Sequence, residues 1–84
     1  MDQHITVTIS STSAGDLTEQ VNTNMKIGPL KKSAMGKLKL DPSMAEKYVL
    51  VFNGKPLSED STLADLGIPN GAVLLLEPKQ PEVI

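Results

Sequence analysis

Residues 48–57 read Tyr48-Val49-Leu50-Val51-Phe52-Asn53-Gly54-Lys55-Pro56-Leu57, and this stretch decides the fold. Five consecutive β-branched, aliphatic or aromatic residues predict a strand. Asn53-Gly54 predicts a two-residue type I′ turn, because both central positions of that turn need positive φ. The return, Lys55-Pro56-Leu57, contains a proline with no amide to donate, which predicts a very short strand or an edge strand. Downstream, Thr62-Leu63-Ala64-Asp65 has capping-box spacing with Asp in place of Glu, opening one helical turn that Gly67 closes. Ala72-Val73-Leu74-Leu75-Leu76 predicts the last strand, Tyr48 to Phe52 being the stronger of the two.

Toward the N-terminus, Ile5-Thr6-Val7-Thr8-Ile9 alternates apolar and hydroxylated residues, the period of a strand with one buried face. Ser10 to Asp16 reads as a hairpin loop and Leu17 to Thr23 as a second strand. Glu19 shares a face with Leu17 and Val21, which predicts a bulge or an edge position there. Gly28-Pro29 starts a helix whose stripe is Leu30, Ala34 and Leu38, with Met35 beside it. Gly36 costs that helix about 1 kcal/mol relative to Ala, so packing must hold it, and Asp41-Pro42 stops it. One helix between two hairpin-like blocks can cover one sheet face and leave the other wet. The expected core is Ile5, Val7, Leu30, Ala34, Leu50, Leu63, Ile68, Leu74 and Leu76.

The run from Phe52 through Asn53-Gly54-Lys55-Pro56-Leu57 to Asp60-Ser61-Thr62-Leu63-Ala64-Asp65-Leu66-Gly67-Ile68 resembles the ubiquitin-like β-grasp superfamily. The pattern of that superfamily is matched without a gap from Tyr48 to Glu77, and the resemblance extends over residues 4–77. It implies an α+β fold, a mixed sheet of four to five strands with one helix packed across it, as a single domain over residues 1–77 followed by a flexible tail, 78–84. Conjugated members of the family end in Gly-Gly, whereas none of the six glycines here adjoins another. That departure argues against ubiquitin-type conjugation and sulfur carriage. The resemblance therefore implies a non-catalytic protein-interaction module, a covalent modifier with an atypical or processed C-terminus, or an accessory subunit of an enzyme complex or secretion machine.

Composition narrows the chemistry further. With 84 residues, 39% apolar and 21% charged, the chain has material for one core, and its only aromatics are Tyr48 and Phe52, so that core is aliphatic. The absence of Cys excludes disulfides, thiolate nucleophiles and cysteine metal clusters. His4, the single histidine, has no second His or paired carboxylate to make a metal site or a triad, and the serines lack a base. No cofactor is expected and no catalytic constellation appears. Met1-Asp2-Gln3-His4 carries an acid and no basic region before an apolar run, so a cytoplasmic location without a membrane partner is expected. All eight basic residues are Lys, which removes the bidentate reader of phosphates and guanines and makes nucleic acid an unfavoured partner.

Three surface candidates remain. If Leu74 and Leu76 point inward with Leu50, then Val49, Val51, Val73 and Leu75 form an apolar patch on the wet face of the sheet. A partner protein, a second copy of the chain, the tail or plain β-propensity could each account for it. Lys55 sits where the resemblance implies a chain-building lysine, although the residue after an Asn-Gly turn is exposed for structural reasons alone. Lys26, Lys31, Lys32, Lys37 and Lys39 fall in one acid-free stretch, five positive charges against a balance of −7 elsewhere. Lys31, Lys32 and Lys37 on the helix are thus a candidate face for an acidic partner, unless the acids elsewhere offset them internally.

Overall fold

Alternation in the first segment sets the first strand, β1, His4–Ser11, and a continuous antiparallel register joins it to β2, Gly15–Asn22. The computed structural model of the protein describes residues 3–12 and 14–79. The helix α1, Ile27–Lys37, follows, then a 3₁₀ helix, Pro42–Lys47, and the strands β3, Tyr48–Phe52, β4, Lys55–Pro56, and β5, Ala72–Pro78. The sheet order is β2-β1-β5-β3-β4, with β1 and β5 parallel and every other pair antiparallel. The resemblance implies a mixed sheet of four to five strands with one helix, and the sheet has five.

Glu19 does lie on the face of Leu17 and Val21, and β2 takes an edge position without a bulge. The carboxylate is accommodated because Lys37, at the end of α1, forms an ion pair with it. The loop between β1 and β2 is shorter than the seven residues expected, since pairing continues to Ser11 and Gly15. At the β3–β4 turn Asn53 has φ 53° and Gly54 φ 77°, the two positive values a type I′ turn requires.

Helix α1 begins at Ile27, two residues before Pro29, and the loop before β5 explains the shift. The amide of Ile27 donates to the Ser61 carbonyl at 3.0 Å and that of Gly28 to the Glu59 carbonyl at 3.1 Å, so two amides that a helix start leaves unpaired are satisfied from outside. Pro29 still occupies the first turn, where its missing amide costs nothing. The helix ends at Lys37, before Asp41. Leu40 donates to the Met35 carbonyl at 2.8 Å and Lys39 to that of Gly36 at 3.2 Å, the pair of bonds of a Schellman motif. Its left-handed position is filled by Lys39, φ 63°, not by glycine.

Asp41-Pro42 both bars the helix from continuing and starts the 3₁₀ helix, which sequence reasoning missed. The Asp41 carboxylate accepts from the amide of Ser43 at 2.9 Å and from its hydroxyl at 2.8 Å, with Pro42 in the first position. These bonds, the hydroxyl's first, hold the Asp41 carboxyl below the usual carboxylate range. Asp followed by Pro is also an N-terminal signature, so the signal was present.

The capping box at Thr62 is reciprocal: the Thr62 amide donates to the Asp65 carboxylate at 3.3 Å and the Asp65 amide to the Thr62 hydroxyl at 3.0 Å. The segment remains a hydrogen-bonded turn closed by Gly67, φ 66°. Strand β5 runs on through Pro78, and the Lys79 amide donates to the Lys47 carbonyl at 2.8 Å. Residues 78 and 79 of the segment expected as a tail are thus paired, and 80–84 lies outside the described residues.

The core joins Val7, Ile9, Val21, Ile27, Leu30, Ala34, Met35, Ala45, Leu50, Leu57, Leu63, Ile68, Ala72, Leu74 and Leu76, with Ile5 only partly buried against it. Leu50→Ala, at a 1% exposed site, is expected to cost about 2 to 5 kcal/mol in a denaturant titration. Lys39→Gly relieves the left-handed strain and is expected to raise stability by about 0.5 to 1 kcal/mol, read as an upward shift of the denaturation midpoint at unchanged slope.

Candidate protein-interaction face

The outward rows of the sheet follow from its register. Val73 stands beside Thr8, and Leu75 lies between Ser10 on β1 and Val51 on β3. Val49 faces Glu77, and Pro56 flanks Val51 on its other side. Val73 is 52% exposed and Leu75 42%, so two of the four predicted patch residues are open to solvent. Val49 is half-buried. Val51, at 9%, is a correction: it points outward but is walled in by Leu75 and Pro56, so it floors the patch.

The rest of the wet face is polar. Thr8 and Thr18 share a hydroxyl hydrogen bond of 3.0 Å across β1 and β2, and the Ser10 hydroxyl donates to the Asp16 carboxylate at 2.7 Å. The β1–β2 half thus satisfies itself with hydroxyls and a carboxylate, while the β5–β3 half offers aliphatic surface. Beyond Glu77 and Val49, the exposed residues Lys47 and Lys79 mark one end of that surface. Two open aliphatics over an aliphatic floor, with a charged end, can desolvate a small apolar anchor while the rim stays hydrated.

The lysine-rich stretch divides. Lys31 is corrected outright: its side chain is 1% exposed, donates to the Tyr48 carbonyl at 2.9 Å and forms an ion pair with Glu59, whose own side chain is 48% exposed. The pair ties the helix to β3 and to the loop after β4. Lys37 is exposed but engaged by Glu19, and Lys32 is exposed within the field of Glu59. Glu59 and Glu19 thus pair with Lys31 and Lys37, and Lys32 alone of the three is exposed with no ion pair among the described residues, so the three do not compose a free cationic face. The spacing did carry the signal for Lys31, which stands four residues after Ile27 and four before Met35, on the buried side of the helix.

The Lys31 ammonium, above all by its hydrogen bond, holds the Glu59 carboxyl below the ordinary glutamate value; burial opposes it, and the charges of Lys31, Lys79 and Lys32 add to the lowering. Lys55 is exposed after the β3–β4 turn. His4 is exposed at the start of β1. Among the described residues no group of three or more His, Asp or Glu side chains could hold a metal ion, and no helix is long and apolar enough to cross a membrane.

Two measurements check the Lys31 clamp. Lys31→Met keeps the apolar stem and removes the charge, so it should change stability by less than about 1.5 kcal/mol, whereas Lys31→Ala leaves a void and should cost about 2 kcal/mol or more. Because the Glu59 pKa is depressed, the pairing contributes fully above the ordinary value of about 4.3 and is lost as pH falls through the lower folded value. Glu59→Gln should flatten that acid limb, by no more than about 1 kcal/mol since half of Glu59 is in water.

Comparisons with known proteins bear on the family and the fold. The family model described as "Ubiquitin-2 like Rad60 SUMO-like" matches residues 5–76. Among solved structures, the ubiquitin of Caldiarchaeum subterraneum superposes with a TM-score of 0.78 at 23% identity, covering 96% of this chain and all of that one. A structure described as "Molecular Mimicry of SUMO promotes DNA repair" gives 0.80 at 18% identity, over 88% of this chain and 90% of that one. A de novo design based on ubiquitin gives 0.78 at 23%, over 94% and 93%. At these identities the structures establish the ubiquitin-like β-grasp fold. No curated protein sequence matches the chain.

Proposed function

Given that this chain belongs to the Ubiquitin-2 like Rad60 SUMO-like family, we propose that it is a non-catalytic protein-interaction module whose partners dock on the sheet face around Val73 and Leu75. Domains of the ubiquitin and SUMO kind generally work by contacting other proteins and are generally not enzymes. The observation that carries the assignment to this face is the exposure of Val73 and Leu75 side by side with Val51 and Val49, on a sheet whose other half is polar. A strand with one wet face needs only alternate apolar residues to fold, so Val73 and Leu75 are in excess of what the core uses.

The docking would be small and centred, with Val51 and Val49 as its floor and margin and Lys47, Lys79 and Glu77 on its rim. Such centres carry most of the binding energy of an interface, and their polar rims chiefly exclude water.

The Val73→Ser, Leu75→Ser double variant tests the reading. Both positions are exposed, so the melting transition should stay within about 0.5 kcal/mol per site of the wild type. As bait in lysate of its native host, the folded variant should lose the partners that the wild type retains, with an affinity loss of about thirtyfold, corresponding to ~2 kcal/mol. Identical captured partners from both baits would end the patch hypothesis. A wild-type dimer that the variant converts to a folded monomer would assign the face to self-association.

A further inference from the structure

The sequence contains two Asn-Gly pairs, Asn53-Gly54 and Asn70-Gly71, and the fold puts them in opposite chemical situations. In such a pair the backbone nitrogen of glycine can attack the Asn side-chain carbonyl carbon, because no Cβ on the second residue obstructs the approach. The reaction needs a free carboxamide, a free glycine amide and a backbone able to rotate.

At Asn70 both reactants are held. Its Oδ1 accepts from the Thr6 amide at 2.8 Å, and the Gly71 amide donates to the Thr6 carbonyl at 2.7 Å. These bonds lie where β1 meets β5 at the centre of the sheet, so freeing the pair requires opening that junction. At Asn53 neither constraint exists. Both pairs are exposed and a Cβ on either glycine would meet nothing within 4 Å, so the difference lies in the hydrogen bonds and in the backbone around them, Asn53-Gly54 standing at the tip of the β3–β4 turn. Among the described residues, no hydrogen bond engages the Asn53 carboxamide or the Gly54 amide. The turn is closed by a two-residue strand at the sheet edge, one residue of which is Pro56, so little backbone pairing resists its rotation.

We propose that Asn53 is a site of spontaneous deamidation and isomerisation, and that Asn70 is protected by the fold. The bond from Gly54 N to Asn53 Cγ forms, the Cγ–Nδ2 bond breaks, and Nδ2 leaves as ammonia, taking up the Gly54 amide proton. Solvent water then opens the resulting succinimide at either carbonyl, giving aspartate or isoaspartate at position 53. Either product adds a carboxylate two residues from Lys55. Isoaspartate also inserts the Cβ into the main chain of a two-residue turn, which the Phe52–Lys55 register cannot absorb unchanged. The inference stands on turn geometry and does not depend on what binds the sheet face.

The experiment holds the folded full chain at mildly alkaline pH and body temperature. Conversion at each asparagine is followed by peptide mass spectrometry with radical-based fragmentation, which separates aspartate from isoaspartate. A parallel sample in urea removes the fold. In the folded protein, Asn53 should convert at least about ten times faster than Asn70, a ratio equivalent to ~1.4 kcal/mol of barrier, which the two hydrogen bonds at Asn70 suffice to supply. In urea the two sites should convert at similar rates, with isoaspartate among the products of both. Equal rates in the folded protein, or a folded Asn53 as inert as Asn70 while both react in urea, would overturn the proposal.

Discussion

The parallel pairing of β1 with β5 is the constraint on which the rest of the structure depends. It joins the first and last strands at the centre of the sheet, so every other element must lie to one side of the pair or across its inner face. Ile9 stands beside Leu74 and Val7 beside Ala72, which makes the inner face of this seam apolar. Asn70 and Gly71 fix its entrance through two bonds to Thr6. Parallel strands cannot be joined by a tight turn, and the long connection between these two contains the helix that covers the core. Closing that connection is an entropic cost offset only when helix and sheet pack together.

The same register that fills the core determines what is left outside. A residue that faces inward at Leu74 obliges Val73 and Leu75 to face outward, and the pairing places them between the hydroxyls of β1 and the aliphatics of β3. The boundary between the polar and apolar halves of the wet face therefore falls along β5. An apolar surface arises here from pairing order as much as from composition. Moving β5 to the other side of β1 would leave the same residues beside different neighbours and give no patch floored by Val51.

Charge is distributed by a similar logic. The sequence gathers five lysines in one stretch, and the fold brings Glu19 and Glu59 to two of them from β2 and from the loop after β4. Lys31 shows how a helix tolerates a cation on its buried side. The stem fills apolar space while the ammonium reaches a main-chain carbonyl and a carboxylate that still touches water. A partly hydrated partner lowers the desolvation penalty that makes fully buried pairs costly.

Local sequence by itself determined the strands at Ile5–Ile9 and Tyr48–Phe52, the Asn53-Gly54 turn, the Thr62–Asp65 capping box and the identity of most core residues. Each rests on backbone preferences or short-range periodicity that act within a few residues. Together with the resemblance carried by Phe52 to Ile68, they made the fold legible. Tertiary structure alone decided the features that need partners distant in the chain. Val51 is covered because Pro56 and Leu75 flank it, the helix begins early because Glu59 and Ser61 supply its acceptors, and the Lys31 ammonium, on a side of the helix that spacing marks as buried, finds its acceptors in Tyr48 and Glu59. The wet-face patch lies between these cases: alternation names its outward residues, but only the order of strands fixes which of them stay open to solvent.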